Sequence, residues 1–142
     1  MDLKKIDTVA AAEKGFTYKF VIPAELTESK EPEETDIEVD VCGAGSKQHK
    51  LADAEYKEKL NKFRKVAKEQ KLDQETIEKK EGELLAELVA KCVRGWKNVE
   101  LDGEKVEFSV ENATKVFVGF PLLVLSVFNA VSDLRSQLQN LS

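Results

Sequence analysis

Leu84-Leu85-Ala86-Glu87-Leu88-Val89-Ala90-Lys91-Cys92-Val93 runs without a break into Arg94-Gly95-Trp96. Its apolar residues recur in adjacent pairs one helical turn apart, the pattern of a helix that buries one face. Gly95 suits the position just past such a helix, where a left-handed backbone costs glycine little. Trp96 follows as a large apolar anchor. Asp102-Gly103 is then a strong two-residue hairpin signal, flanked by Val99, Leu101, Val106 and Phe108. Ser109 is placed to cap the next helix, with Glu111 in its first turn, where the helix dipole favours an acid.

Beyond this block the apolar run Val116-Phe117-Val118-Gly119-Phe120-Pro121-Leu122-Leu123-Val124-Leu125 is broken by Gly119 and Pro121. Proline tolerates the first position of a helix and pushes the residue before it out of helical geometry, so Pro121 predicts a new helix rather than a kink. From Val124 the positions Val127, Val131, Leu134, Leu138 and Leu141 alternate at three and four, the seam of a coiled coil about two and a half heptads long. That seam suits internal packing and pairing with another copy equally.

Towards the N-terminus, Val9-Ala10-Ala11-Ala12 is the one helix-favouring stretch before Gly15. Phe16, Tyr18, Phe20 and Ile22 alternate with Thr17, Lys19 and Val21, and Ile37-Glu38-Val39-Asp40-Val41 alternates too, giving two half-buried strands. The acidic stretch from Pro23 to Asp36 reads as an exposed loop joining them as an antiparallel pair. Ser46 is a candidate N-cap for a charged helix from Lys47 to Lys71, whose narrow apolar stripe is Tyr56, Leu60, Phe63 and Ala67. Asp73 is placed to cap a second helix that buries Ile77, Leu84, Leu85, Leu88, Val89 and Cys92. With no Gly or Pro at residues 66 to 76, a hairpin and one long kinked rod remain open. The expected fold is α+β, mostly α: an N-terminal antiparallel β-strand pair followed by a helical domain with a short β-hairpin insertion. One domain is expected, divided at 1–46, 47–94, 95–108 and 109–142.

The 142 residues are enough to bury roughly two thirds of the unfolded surface. Cys42 and Cys92 stand in apolar contexts without metal-ligand spacing, as reduced, buried thiols do. The longest apolar run is too short for a membrane span, which needs about 20 residues. The net charge of −5 disfavours nucleic acid, although the charge is uneven. Acids dominate from Glu25 to Asp40, and bases outnumber acids about two to one from Lys47 to Lys71. That basic helix has no arginine cluster, and Tyr56 and Phe63 share its apolar face instead of alternating with its cations.

Catalytic readings fail on residue types. The single histidine, His49, lies between Gln48 and Lys50 with no nucleophile near it in sequence, and a solvated histidine explains it. Gly43-Ala44-Gly45-Ser46 lacks the lysine of a phosphate loop and the third glycine of a dinucleotide fingerprint. The carboxylates between Pro23 and Asp36 do not follow a calcium-loop pattern. No catalytic residue, cofactor or metal is expected. The region from Phe117 to Phe128 is apolar on nearly every side, so it is expected to be mostly core with a subset exposed to a partner.

The order Arg94-Gly95-Trp96, Leu101-Asp102-Gly103-Glu104, Phe108-Ser109-Val110-Glu111-Asn112 and Phe120-Pro121 resembles that of the siphophage tail assembly chaperones. The resemblance covers most of the chain and is most specific from Leu84 to Val131. It implies a non-enzymatic protein of the infected host cytoplasm, absent from the mature virion. Such a protein binds and solubilises the tape measure protein and helps the tail tube protein polymerise around it. The candidate partner-binding residues are Trp96, Phe117, Phe120, Leu123, Val127, Phe128, Val131 and Leu134, with possible self-association and neither nucleic acid nor membrane as partner. The chain departs from the family pattern in its longer Pro23 to Asp36 loop and its leucine-rich tail. The alternatives are a structural virion component of the tail or head-tail connector, and a small regulator that dimerises through Val127 to Leu141.

Overall fold

A computed structural model of the chain describes residues 1–133. A short 3₁₀ turn, Leu3–Ile6, leads into helix α1, Thr8–Lys14. Strand β1, Phe16–Ile22, pairs antiparallel with β2, Glu33–Val41, from Phe16 opposite Val41 to Ile22 opposite Glu33. The fold is α+β and mostly α, as the residue pattern predicts. The second strand starts earlier than its alternation suggests, because Glu33, Glu34 and Asp36 keep their side chains in solvent while their backbones join the sheet. The connection is therefore shorter than Pro23 to Asp36, and Thr27 Oγ1 ties it by donating to the carbonyls of Ala24 and Glu31.

Helix α2, Lys47–Glu69, and helix α3, Gln74–Cys92, are separate and antiparallel. Ion pairs step along them in opposite directions, from Glu55 with Lys91, through Lys59 with Glu87, to Arg64 with Glu81. The turn uses neither Gly nor Pro. Lys71 takes a left-handed backbone at φ 52°. The Leu72 N–H then reaches the Ala67 carbonyl at 3.0 Å, and the Lys71 N–H reaches that of Lys68 at 3.4 Å. This is a Schellman termination with lysine in the place glycine usually holds. The Asp73 carboxylate accepts from the Thr76 N–H at 2.7 Å and starts α3.

The end of α3 differs from the sequence expectation. Val93 turns extended, and Val93–Lys97 forms a third strand, β3, antiparallel to β2, so the sheet order is β1-β2-β3. Gly95 is a strand residue opposite Asp40, not a helix cap. The chain leaves the helix straight into the sheet because β2 offers a free edge, and Val93, Gly95, Trp96 and Lys97 pair along it. Arg94 is the extra residue where the register slips, a β-bulge that turns its side chain away from the ladder. Its guanidinium donates to the Glu13 and Lys14 carbonyls at 2.8 and 2.9 Å and to Gln48 Oε1 at 3.0 Å.

The predicted hairpin is present, with β4, Glu100–Leu101, and β5, Glu104–Lys105, joined through Asp102 at φ 53° and Gly103 at φ 80°. Two positive φ values make a type I′ turn. Ser109 caps α4, Val110–Gly119, by accepting from the Asn112 N–H at 2.9 Å. Pro121 is the first residue of α5, Pro121–Ser132, and the two helices meet at a bend of 119°. The core lies between one face of the sheet and α3, α4 and α5, around Val39, Val89, Phe117 and Val127. No single helix among the described residues is long and apolar enough to cross a membrane.

Two backbone positions test this account. Gly15 has φ 70°, and a Cβ there would overlap the Val41 carbonyl and crowd the Arg94 guanidinium. Gly15→Ala is expected to destabilise by about 2 kcal/mol or more. Lys71→Gly is expected to stabilise by roughly 0.5–1 kcal/mol by relieving the left-handed backbone. Urea melts of the two variants measure both.

Candidate partner-binding surface

The α4–α5 elbow sorts the apolar run into two populations. Phe120, at φ −133° and ψ 76°, breaks the helix, and Pro121 restarts it in a new direction. On the inner side, Phe117 is 1% exposed, and Leu123, Val127 and Val131 are buried with it in the core. Val124, Val127 and Val131, the described part of the predicted seam, all pack inside the chain. Leu134, Leu138 and Leu141 lie outside the described residues.

On the outer side, Phe120 is 48% and Leu125 51% exposed, and Val118 and Phe128 are exposed beside them. Of the candidate residues, the structure thus brings Phe120 and Phe128 to the surface. Trp96 is half-buried and committed elsewhere. Its Nε1–H donates to the Val106 carbonyl at 2.8 Å, and its ring stands edge-on to Phe108 and Phe117, with centroids 5.4 and 6.4 Å away. It pins the hairpin to β3 and α4. Val118 and Leu125 escape a reading based on the seam because they lie one residue beyond Phe117 and Val124, and one residue turns a helical side chain through about 100°.

The divergence of α4 from α5 leaves a groove of about 380 Å³ against α3. Leu85, Phe117, Val118, Pro121, Val124 and Leu125 make its apolar lining, and Glu78, Lys79, Gly82 and Glu83 of α3 make its other wall. Gly82 stands in mid-helix, where glycine costs about 1 kcal/mol relative to alanine. A Cβ there would meet nothing within 4 Å. Packing inside the chain therefore does not require a glycine at this position.

The titratable groups flagged in the sequence are structural. His49 Nδ1 accepts the Gly45 N–H at 3.2 Å, and Ser46 Oγ accepts the His49 N–H at 3.0 Å, so both finish the entry to α2. Among the described residues, no group of three or more His, Cys, Asp or Glu can hold a metal ion. Cys42 and Cys92 are buried free thiols at the inner end of the β2–β3 ladder, and the Cys42 N–H donates to the Cys92 carbonyl at 2.9 Å. The Cys92 thiol donates to Cys42 and lowers its pKa from 9.0 to about 7, helped by the Ser46 hydroxyl and the Arg94 charge against the opposing effect of burial. Cys92, which holds the shared proton, is pushed up.

Two outcomes follow. Thiolate absorbance is expected to rise at a lower pH than for an ordinary cysteine, and either Cys92→Ala or Cys42→Ala, which breaks the thiol pair, moves that rise up. Gly82→Ala is expected to raise stability by roughly 0.5–1 kcal/mol, read from a urea melt, since nothing obstructs the new methyl.

The sequence pattern of the YdaY prophage protein family matches residues 51–140, from within α2, through all of α5, to beyond the described residues. No curated protein and no solved structure matches the chain. The family match takes in both walls of the groove, the Arg94 bulge and the hairpin, and it covers well over half of the sequence. The chain therefore belongs to the YdaY prophage protein family and is phage-derived.

Proposed function

We propose that this phage protein is a tail assembly chaperone, which binds the tape measure protein, keeps it soluble and promotes tail tube polymerisation around it. The observation that carries this reading is the exposed apolar surface at the α4–α5 elbow, formed by Val118, Phe120, Leu125 and Phe128. It sits on a chain in which 35% of residues are charged. A client that aggregates through apolar helical segments needs such a surface to cover them, and a strongly charged remainder keeps the resulting complex in solution. The phage origin and the ordered motifs from Arg94 to Pro121 support the same reading. The function is non-enzymatic and needs no cofactor. The protein acts in the host cytoplasm, contacts the tail tube protein during assembly and leaves before the virion matures.

Co-expression with the tape measure protein of the same phage tests the proposal. That protein is expected to become soluble only when the wild-type chain is present, and to purify with several copies bound. Phe120→Asp combined with Phe128→Asp is expected to abolish this while leaving helicity by circular dichroism intact, because both side chains already face solvent. Phe117→Asp, by contrast, is expected to unfold the chain, since it places a charge in the core. Solubilisation by the double variant equal to wild type would remove the elbow from the mechanism. Recovery of the chain from purified virions would favour a structural component of the tail or connector.

A further inference from the structure

Cys42 and Cys92 are the two cysteines of the chain, and the fold sets them side by side. The slip at Arg94 puts Val41 opposite Val93, and the same register carried one residue further puts Cys42, just past β2, opposite Cys92, the last residue of α3. Without the bulge, the register that pairs Asp40 with Gly95 would bring Cys42 opposite Val93 instead. The Cys42 N–H donates to the Cys92 carbonyl at 2.9 Å. Residues opposed at a hydrogen-bonded position of this kind have Cα atoms about 5.5 Å apart, inside the range of roughly 4.4–6.8 Å that a disulfide spans. Both thiols lie in the core, 0% and 2% exposed, and the Cys92 thiol donates to the Cys42 sulfur.

Two polar groups converge on Cys42 as well. Ser46 is fully buried, and its Oγ accepts the His49 N–H at 3.0 Å, so its own proton is left to donate to the Cys42 sulfur. Arg94, fixed by the Glu13 and Lys14 carbonyls and by Gln48, places its positive charge nearby. A cysteine that serves only as a small apolar side chain needs neither group, and burial alone would push its pKa up. Here the Cys92 thiol, with the Ser46 hydroxyl and the Arg94 charge, holds Cys42 at about 7 against burial. Cys42 is thus the nucleophile of the pair, and Cys92 keeps the proton.

We propose that Cys42 and Cys92 form a redox-responsive pair, which a peroxide closes into an intrachain disulfide that clasps the foot of α3 to the end of β2. The Cys42 thiolate attacks one oxygen of hydrogen peroxide and the O–O bond breaks. Hydroxide leaves and takes up the proton that Cys42 gave up, so the sulfur is oxidised to a sulfenic acid and the peroxide is reduced. The Cys92 sulfur then attacks the Cys42 sulfur. The S–S bond forms, the S–O bond breaks, and the Cys92 proton leaves with the hydroxyl as water. In sum, two thiols and one peroxide give one disulfide and two waters. Access comes from the α1 side, where the Gly43 N–H rests on the Ala12 carbonyl. Helix α1 has seven residues and buries only Ala11 and Ala12, and an element held so lightly opens far more often than the core unfolds. Disulfides that form in a reducing cytosol are of this transient, redox-responsive kind. The inference goes beyond the chaperone reading and stands without it, because it concerns the reactivity of the chain alone.

Peroxide treatment of the reduced full chain, without denaturant, tests it. The peroxide is removed, remaining thiols are alkylated in urea, and intact and digested masses are read. Wild type is expected to lose about 2 Da, to keep no thiol for alkylation and to yield a linked Cys42–Cys92 peptide while staying a single chain on a non-reducing gel. Its thermal midpoint is expected to rise by roughly 5 °C or more and to fall back with dithiothreitol, since the bond closes a loop of about 50 residues. Cys92→Ala is expected to give no linked peptide and to collect oxygen on Cys42. Cys42→Ala is expected to leave Cys92 unoxidised at the same dose. The pair is inert, and the proposal overturned, if both thiols survive a dose that fully oxidises glutathione in a parallel tube. Cross-links between chains, a linked peptide without a higher midpoint, or equal oxidation of Cys92 in Cys42→Ala would overturn it too.

Discussion

Arg94 joins three parts of the chain that local structure would leave separate. It is the bulged residue of β3, and the bulge turns its guanidinium out of the ladder and onto the last carbonyls of α1 and the side chain of Gln48 in α2. A cation at a helix C-terminus satisfies carbonyls that have no partner within the helix and meets the negative end of the dipole. Gln48 in turn donates to the Lys91 carbonyl at the end of α3, so the same cluster closes the helix pair at its sheet end. Gly15 is needed because Val41 and Arg94 occupy the space a side chain would take. The alignment that places Cys42 against Cys92 follows from the same slip in register.

Around that junction the molecule divides its labour by polarity. The α2–α3 hairpin is held at its surface by charge, with Glu55, Lys59, Glu87 and Lys91 forming one connected network. Such partly exposed pairs contribute modestly, so the hairpin relies also on the Tyr56 and Leu88 side of its seam reaching the core. The C-terminal helices do the opposite. The last turn of α4 and all of α5 carry apolar residues on both faces, and one face suffices to fill the space beneath the sheet and α3. The surplus remains outside as Val118, Phe120, Leu125 and Phe128. That surplus is the surface on which the proposed chaperone reading rests.

Much of this was legible from residues a few positions apart. Ser46, Asp73 and Ser109 cap their helices, Asp102-Gly103 makes its hairpin, Pro121 opens a helix, and the alternation of Phe16 to Ile22 makes a strand. The caps, the hairpin turn and the proline start each depend on a hydrogen bond or a steric limit that spans four residues or fewer, and the strand shows through its two-residue alternation. The reading failed at Gly95 and at Glu33 to Asp36, because a strand is completed by its partner. It stayed open at Lys71, where tertiary pairing of α2 with α3 imposes a left-handed backbone on a residue that does not advertise one.

The sequence by itself thus determined the caps of α2, α3 and α4, the turn at Asp102-Gly103, the start of α5 at Pro121, the mostly helical class with its antiparallel strand pair, and the apolar character of the C-terminal region. Only the tertiary structure decided that β3 joins the sheet, that Arg94 locks α1 to it, that Trp96 is spent on the hairpin, and which apolar residues face out. The physical reason is range. Caps and turns are closed by neighbours in the chain, whereas a sheet edge, a bulge and a buried face are settled by residues about 40 to 80 positions away, as with Arg94 and its partners in α1 and α2.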